Sequence, residues 1–139
     1  MVQRTLVLLK PDAVARGLVG RILTRFEDRG FSVVAVQLRQ APKDLLARHY
    51  RDLVDKPFYG GIEGYMTSGP LLAVVLEGED VVQCVRTMMG ATMPQDAAPG
   101  TIRGDFCTPD SDGVVRNAVH GSDSVESAER EISLWFPTL

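Results

Sequence analysis

Two histidines, His49 and His120, are the only side chains of this sequence whose ordinary pKa lies near neutral pH, and their surroundings differ. His49 stands among charged residues in LLARHYRDL, so we predict a partly solvated helix residue without a chemical role. His120 stands in RNAVHGSDS, between a short apolar step and a small polar turn. We predict that it ends a buried strand just before a helix, where backbone N–H groups favour an anion. Local context alone equally supports a reactive imidazole and a core histidine hydrogen-bonded to Ser122 or to a helix carboxylate.

Basic side chains that could bind an anion are few in the second half of the chain. After residue 56 the only cations are Arg86, Arg103, Arg116 and Arg130. Arg103 lies in the glycine-flanked loop PGTIRGD, and Arg86 precedes a segment in which Thr92 offers a hydroxyl group. A guanidinium fork suits phosphate oxygens, although for any one arginine taken alone a surface salt bridge is the simpler interpretation.

Two further polar side chains stand at strand ends. Lys10 ends the apolar run LVLLK, and Pro11 then turns the chain, so this charge is predicted to lie at the edge of a site. Asn117 lies beside the short apolar segment that carries His120 and offers both a donor and an acceptor. The alternative for Asn117 is a simple turn residue.

The sequence contains no G-x-x-x-x-G-K-[ST] loop, since GLVGR lacks the lysine. A chain that moved phosphoryl groups without this loop could use an imidazole instead. The imidazole would attack the γ-phosphorus, hold the group as phosphohistidine and pass it on, in a two-step ping-pong reaction. Lysine, arginine and a divalent ion would stabilise the charge on the transferring group.

Hydrophobic periodicity predicts the elements that must position these residues. Strands are expected at residues 4 to 10, 31 to 39, 70 to 78 and 118 to 120. Helices are expected at residues 17 to 30, 43 to 54, 79 to 90 and from a D-x-x-E capping box at Asp123 onward, with Val125, Ala128, Ile132 and Trp135 buried. A long loop rich in proline and glycine precedes the last strand. This order predicts an α+β, ferredoxin-like βαββαβ fold, with a four-stranded antiparallel sheet and helices over one face.

Composition limits the class of protein. With 139 residues and 45% hydrophobic content, residues 1–139 are expected to form a single domain. The net charge of −3 argues against a nucleic-acid or membrane partner, and no apolar run approaches the length of a membrane span. Cys84 and Cys107 fit neither a metal-ligand spacing nor a disulfide framework, so a cytoplasmic location is expected.

Five motifs in chain order together resemble the nucleoside diphosphate kinase family along essentially the whole sequence. They are KPDAVARGLVGRI, HYRDL with DKPF, TSGP, PGTIRGDF, and RNAVHGSDS with SAEREI and LWF. The resemblance implies an enzyme that moves a γ-phosphoryl group from a nucleoside triphosphate to a nucleoside diphosphate through phosphohistidine at His120. It also implies Mg²⁺ held mainly by the nucleotide phosphates, and acceptors with many bases, including GDP, CDP, UDP and the deoxynucleotides.

The same resemblance implies roles for individual residues. Ser122 and Glu131 would orient the imidazole, and Tyr50 would lie near it. Lys10 and Asn117 would contact the sugar hydroxyls and the transferring phosphate. Among the residues implied to bind the nucleotide, Arg86, Thr92 and Arg103 would hold phosphates. Phe58, Ile62 and Val114 would contact the base. The full nucleotide-binding set is Lys10, Phe58, Ile62, Arg86, Thr92, Arg103, Val114 and Asn117.

The sequence departs from the family pattern in the loop before Asn117, which is about two residues longer than usual, and at Met93, where a polar residue is common. The family forms homo-oligomers, and the segment APGTIRGD favours a hexamer over a tetramer. Two other functions stay open at this stage. One is a non-enzymatic nucleic-acid-binding module, and the other is a protein-histidine phosphorelay element.

Overall fold

The computed structural model describes residues 1–139 and is organised around one four-stranded sheet with the spatial order β2-β3-β1-β4. All three strand pairs are antiparallel. The strands are β1 (Val2–Leu9), β2 (Ser32–Arg39), β3 (Leu71–Glu79) and β4 (Val119–Gly121). The helices are α1 (Pro11–Ala15), α2 (Val19–Asp28), α3 (Lys43–His49), α4 (Tyr59–Met66), α5 (Val81–Met89), α6 (Ile102–Phe106) and α7 (Val125–Trp135). The predicted ferredoxin-like βαββαβ order is therefore confirmed, with α3 and α4 both lying between β2 and β3.

Helices cover both faces of the sheet, so the prediction of helices over one face is wrong. One core cluster lies beneath α2 and α5 and includes Val7, Leu9, Ile22, Phe26 and Val85. The other lies beneath α3 and α7 and includes Leu6, Leu8, Leu46 and Trp135. Because successive residues of a strand point to opposite faces, the unbroken apolar run of β1 requires cover on each side. None of the helices has the length and apolar character needed to cross a lipid bilayer.

Helices α2 and α5 are slightly shorter than predicted, and α3 and α7 differ from their predictions for reasons that side-chain contacts show. Helix α3 ends at His49 and not at residue 54, because Arg130 of α7 donates hydrogen bonds to the carbonyls of Arg48 and His49. Helix α7 is capped by Ser124, whose hydroxyl oxygen accepts from the backbone N–H of Ser127, so the predicted capping box is wrong. Val125, the first residue of α7, has 43% of its surface exposed, so the prediction that it is buried is wrong.

The long excursion between α5 and β4 contains more regular structure than its composition predicts. A 3₁₀ turn spans Pro94–Asp96, and α6 follows it with Thr101 as the N-cap that accepts from the N–H of Gly104. Position 104 requires glycine, because a Cβ atom there would collide with the backbone carbonyl of Ala98. This close approach fixes the position of α6 and hence of Arg103.

We expect Gly104→Ala to lower the free energy of unfolding by about 1–3 kcal/mol, because the backbone of Ala98 must move to admit the methyl group. The matched control is Gly20→Ala, since Gly20 lies in α2 with no atom within 4 Å of an added Cβ. The free energy of unfolding of Gly20→Ala is expected to rise by about 0.5–1 kcal/mol. Urea unfolding of both variants measures the difference, and equal stabilities would contradict the steric argument.

Candidate active site

Strand β4 places His120 opposite Leu8 of β1, so its side chain lies on the face covered by α3 and α7. There its Nε2 atom is 2.7 Å from Oε1 of Glu131, a buried residue of α7. Ser122 lies two residues further along the chain and donates from its hydroxyl to the same oxygen at 2.8 Å. The imidazole keeps 18% of its side chain exposed, which leaves room for a ligand to approach it.

The hydrogen bonds of this cluster define the state of His120. A carboxylate oxygen can only accept, so the proton of a neutral His120 lies on Nε2 and the lone pair on Nδ1. Burial lowers the pKa of His120 and outweighs the opposing effect of Glu131. The ring is therefore neutral near pH 7, with its second nitrogen unprotonated. Such an imidazole can act as a nucleophile.

Lys10 lies just past the end of β1 and is tied to the turn that precedes β4. Its ammonium group donates to Oδ1 of Asn117 at 2.8 Å, and the Asn117 amide donates to the backbone carbonyl of Thr92 at 2.9 Å. Burial, followed by the nearby charge of Arg103, lowers the pKa of Lys10 to about 8. Lys10 is therefore a cation that is poorly solvated in the free protein.

The guanidinium of Arg103 is buried and bonded to backbone. It donates to the carbonyls of Asn117, Gly90 and Val119 at 3.2, 3.1 and 2.6 Å. The surface salt bridge considered from sequence is absent, because no carboxylate lies within ion-pair distance of this side chain. Burial and the charge of Arg86 lower the pKa of Arg103 to about 10, so it stays protonated at neutral pH. Two of its five N–H groups remain for a ligand.

Arg86 of α5 lies at the other end of β4, where it donates to the carbonyl of Gly121 at 3.3 Å. Arg103 and Arg86 thus flank the strand that carries His120. Just before β4, Ala118 adopts the left-handed backbone conformation, with φ of 67°. A non-glycine residue in this region stores strain and is common at functional sites.

Tyr50, which was expected near His120, packs edge-on against His49 with 4.7 Å between ring centroids. The residues expected near the base lie on two separate segments. Phe58 is 56% exposed and Ile62 of α4 is half-buried. Val114 lies in the loop before Asn117, where it lines a cleft of about 200 Å³ with Met93. Hydrogen bonds link Lys10, Arg86, Arg103 and Asn117 to one another or to β4, whereas the apolar side chains proposed for base binding lie on separate segments.

His49 contradicts the prediction made from its charged neighbours. It is buried, with 5% of its surface exposed, and its Nδ1 accepts from the indole N–H of Trp135 at 3.0 Å. Its ring meets that of His120 at 4.6 Å between centroids, with an angle of 72° between the planes. The available signal was helical spacing, because Leu45, Leu46 and His49 share one face of α3.

The donor set of the site fits Mg²⁺ carried by a phosphate better than Mg²⁺ held by the protein. His49, His120 and Glu131 are the only group of three potential metal ligands whose ligand atoms lie within 4.8 Å of one another. Two of these are imidazole nitrogens, whereas Mg²⁺ requires about six oxygen ligands. The carboxylate of Glu131 is already occupied by His120 and Ser122.

Together the fold and the site define an α+β domain whose edge strand carries a neutral imidazole close to the basic side chains of Lys10, Arg86 and Arg103. The nucleoside diphosphate kinase family model matches residues 3–139 of the chain. Nucleoside diphosphate kinase A1 of Xenopus laevis is 57% identical over 96% of this chain and 84% of its own length. The human nucleoside diphosphate kinase A is 56% identical over 96% of this chain and 86% of its own length.

Solved structures agree with the sequence comparisons. The halophilic nucleoside diphosphate kinase of Halobacterium salinarum, in complex with CDP, has a TM-score of 0.91 at 45% identity and covers 98% of this chain and 88% of its own. The apo enzyme of Encephalitozoon cuniculi has a TM-score of 0.90 at 41% identity, over 96% and 88%. The chain belongs to the nucleoside diphosphate kinase family. It is a nucleotide-binding kinase, as the sequence resemblance predicted.

The pKa values of Lys10 and His120 predict the pH dependence of kcat/KM, which reports the free enzyme. If His120 is the nucleophile, its protonation stops the reaction, and its lowered pKa places this loss below the ordinary value of 6.5. If Lys10 binds a phosphate, its deprotonation removes that charge as the pH rises through about 8. We expect a plateau between these limits, and Lys10→Arg should abolish the alkaline limb because a guanidinium stays charged. An unchanged alkaline limb in that variant would exclude Lys10 as its source.

Proposed function

We propose that this chain transfers the γ-phosphoryl group of a nucleoside triphosphate to a nucleoside diphosphate by a ping-pong mechanism through phosphohistidine at His120. The observation that carries the proposal is the hydrogen bond from Nε2 of His120 to the buried Glu131. This bond fixes the tautomer, so the lone pair on Nδ1 is the nucleophile. Ser122 supports the same carboxylate, and Tyr50 borders the imidazole pair through its contact with His49.

Each half of the proposed reaction exchanges one bond to phosphorus. Nδ1 of His120 forms a bond to the γ-phosphorus while the bond from that atom to the β–γ bridging oxygen breaks, and the nucleoside diphosphate leaves with the electron pair. In the second half, a terminal oxygen of an acceptor diphosphate attacks the same phosphorus and the N–P bond breaks. The proton stays on Nε2 throughout, and Glu131 accepts its hydrogen bond. No proton transfer therefore accompanies either step.

Three basic side chains around β4, of which Arg103 is buried, would stabilise the transferring group. Lys10, Arg86 and Arg103 surround β4, and Thr92 and Asn117 add polar groups in the adjoining turn. Their charges would balance the negative charge that spreads over the phosphoryl oxygens. Mg²⁺ bound to the nucleotide phosphates would neutralise further charge there. No carboxylate of this chain is required to hold the ion.

We assign base binding to Phe58, Ile62 and Val114 and infer that many bases are accepted. Phe58 supports this assignment because 56% of its surface is exposed, which leaves a flat aromatic face for stacking. Every base has such a face, so stacking discriminates weakly between bases. The substrates we propose are ATP as donor and GDP, CDP, UDP and deoxynucleoside diphosphates as acceptors. The complex of the Halobacterium salinarum enzyme with CDP is consistent with a pyrimidine acceptor.

We further propose that residues 1–139 work as one catalytic domain in the cytoplasm. Both cysteines, Cys84 and Cys107, are free thiols, which suits a reducing compartment.

We also propose that the enzyme is a homo-oligomer, and a hexamer in preference to a tetramer. Strand β2 supports association, because it lies at the edge of the sheet and pairs only with β3. Val36 and Leu38 of this strand are 53% and 60% exposed. An uncovered apolar edge strand pairs readily with another strand, and a second copy offers the same edge through a two-fold axis.

Labelling with γ-labelled ATP and Mg²⁺ tests the phosphohistidine. The protein is expected to take up one acid-labile, alkali-stable phosphate that GDP or CDP removes, and His120→Ala is expected to take up none. Glu131→Gln keeps the shape of the acceptor but not its charge, so it should label about 10- to 100-fold more slowly. An exposed substitution on α7, Glu126→Gln, serves as the matched control and should label normally. Normal labelling of His120→Ala would contradict the mechanism.

Light scattering of the protein in solution tests the proposed assembly. A mass of six 15.2 kDa chains is expected. Val36→Lys should shift the population to smaller species, because the ammonium group cannot be buried against a second edge strand. Val2→Lys places the same charge on another exposed valine, which is 64% exposed, and should leave the mass unchanged. A monomeric wild-type protein would overturn the proposal.

A further inference from the structure

We propose that His49 is a positioning residue for the reaction, because its ring forms the wall that holds the imidazole of His120 in its reactive orientation. This inference rests on the proposed function of His120. It concerns a residue of α3 that takes no part in the chemistry of the phosphoryl group.

The imidazole of His120 has one hydrogen bond and one ring contact that constrain it. The hydrogen bond to Glu131 fixes the position of Nε2. The ring can still tilt about the line that joins its Cβ atom to Nε2. The ring of His49 removes this freedom, because it meets His120 edge to face at 4.6 Å. The hydrogen bond to Glu131 and the contact with the ring of His49 together fix the plane of the His120 ring. They therefore fix the direction in which Nδ1 points.

His49 can act as a wall because it is itself fixed. Its Nδ1 accepts from the indole N–H of Trp135 at 3.0 Å, and the two rings pack with 5.8 Å between centroids. Tyr50 packs against the side of His49 at 4.7 Å. The backbone carbonyl of His49 accepts from Arg130, which anchors the end of α3 to α7. The side chain and the backbone of this residue are thus both held by α7.

The contacts of His49 also keep it neutral. The titratable and charged groups that face it are His120 of β4, Tyr50 at the end of α3, Lys10 past the end of β1, and Arg130 and Glu131 of α7. Burial lowers the pKa of His49 far below its ordinary range, and the neighbouring positive charges act in the same direction. Protonation at Nδ1 would also break the bond from Trp135. His49 makes no hydrogen bond to His120, so it acts on that ring through the packing of the two rings.

Two variants separate a positioning ring from a proton carrier and from a residue needed only for folding. His49→Ala removes the wall and leaves the indole N–H of Trp135 without an acceptor. The double variant His49→Phe with Trp135→Phe restores a flat ring, removes both polar groups together, and offsets the larger ring at residue 49 with a smaller one at residue 135. Removing both members of this polar pair together leaves neither the indole N–H nor Nδ1 buried without its partner.

The experiment measures the rate of phosphorylation of His120 by γ-labelled ATP in single turnovers at several pH values, well below each melting temperature. His49→Ala is expected to react about 10- to 100-fold more slowly, with the KM for ATP changed by less than about twofold, as expected for a misaligned nucleophile. The double phenylalanine variant is expected to regain a rate within about threefold of the wild type, with the same pH profile.

A destabilised variant on the opposite face of the sheet provides the control. Phe26→Leu weakens the other core cluster, so its folded fraction should be phosphorylated at the wild-type rate. Wild-type rates in His49→Ala would overturn the proposal. Failure of the double phenylalanine variant to recover, or a shifted pH profile in it, would show that the imidazole acts by its polar groups and not as a wall, which overturns it also.

Nuclear magnetic resonance of the His120 ring keeps this test separate from the test of the proposed function. If the wild-type protein took up no label, the phosphohistidine mechanism would fail. The ring of His120 should still show one orientation and one tautomer in the wild type and the double variant, and averaged signals in His49→Ala. Identical spectra in all three proteins would overturn the positioning role whatever the enzyme catalyses.

Discussion

The buried carboxylate of Glu131 is the constraint on which the rest of the site depends. An ionised carboxylate removed from water is tolerated only when its lone pairs find donors, and here one oxygen accepts from both His120 and Ser122. The two donors lie on the segment that begins with β4, while Glu131 lies on α7, so satisfying one charge joins these elements. Arg130, the neighbour of Glu131, then ties α7 to the end of α3. The order of the active site and the packing of two helices therefore follow from the same requirement.

Strand β4 is only three residues long and needs support beyond its pairing with β1. Arg103 supplies much of this support, since its guanidinium bonds to the carbonyls of Asn117 and Val119 on either side of Ala118. These bonds offset the cost of the left-handed conformation at Ala118, which is of the order of 1–3 kcal/mol. The turn directs the chain so that His120 enters the strand on the face of α7. A side chain proposed to bind phosphate thus also shapes the backbone that presents the nucleophile.

The amino-acid sequence predicts the fold well because the strong signals are local. Unbroken apolar runs mark β1, β2 and β3, and Gly30, with φ of 98°, ends α2 as expected of a glycine just beyond a helix. The family motifs also identify Lys10, Asn117 and Glu131 as residues of one site, although these residues lie far apart in the sequence. What local patterns cannot show is which side chains meet across elements. The end of α3 is decided by Arg130, some eighty residues further along the chain, and the burial of His49 is decided by Trp135. Both contacts depend on tertiary packing, and the charged neighbours of His49 concealed the apolar face that it shares with Leu45 and Leu46.

The electrostatics of the free site favour the arrival of an anion. The chain carries a net charge of −3, yet Lys10 and Arg103 are buried close enough for the charge of Arg103 to lower the pKa of Lys10. Both side chains donate hydrogen bonds to neutral groups, and no carboxylate lies within ion-pair distance of either cation. The charge of Asp12 opposes the lowered pKa of Lys10 only in part. A phosphate oxygen placed beside these cations would relieve their repulsion and replace part of the water that burial has removed. The neutral imidazole adds no repulsion toward that phosphate and no positive charge to the pair. A site of this design gains more from a ligand whose negative charge lies on the oxygens of the transferring phosphoryl group than from a neutral ligand, which is the preference that the proposed phosphoryl transfer requires.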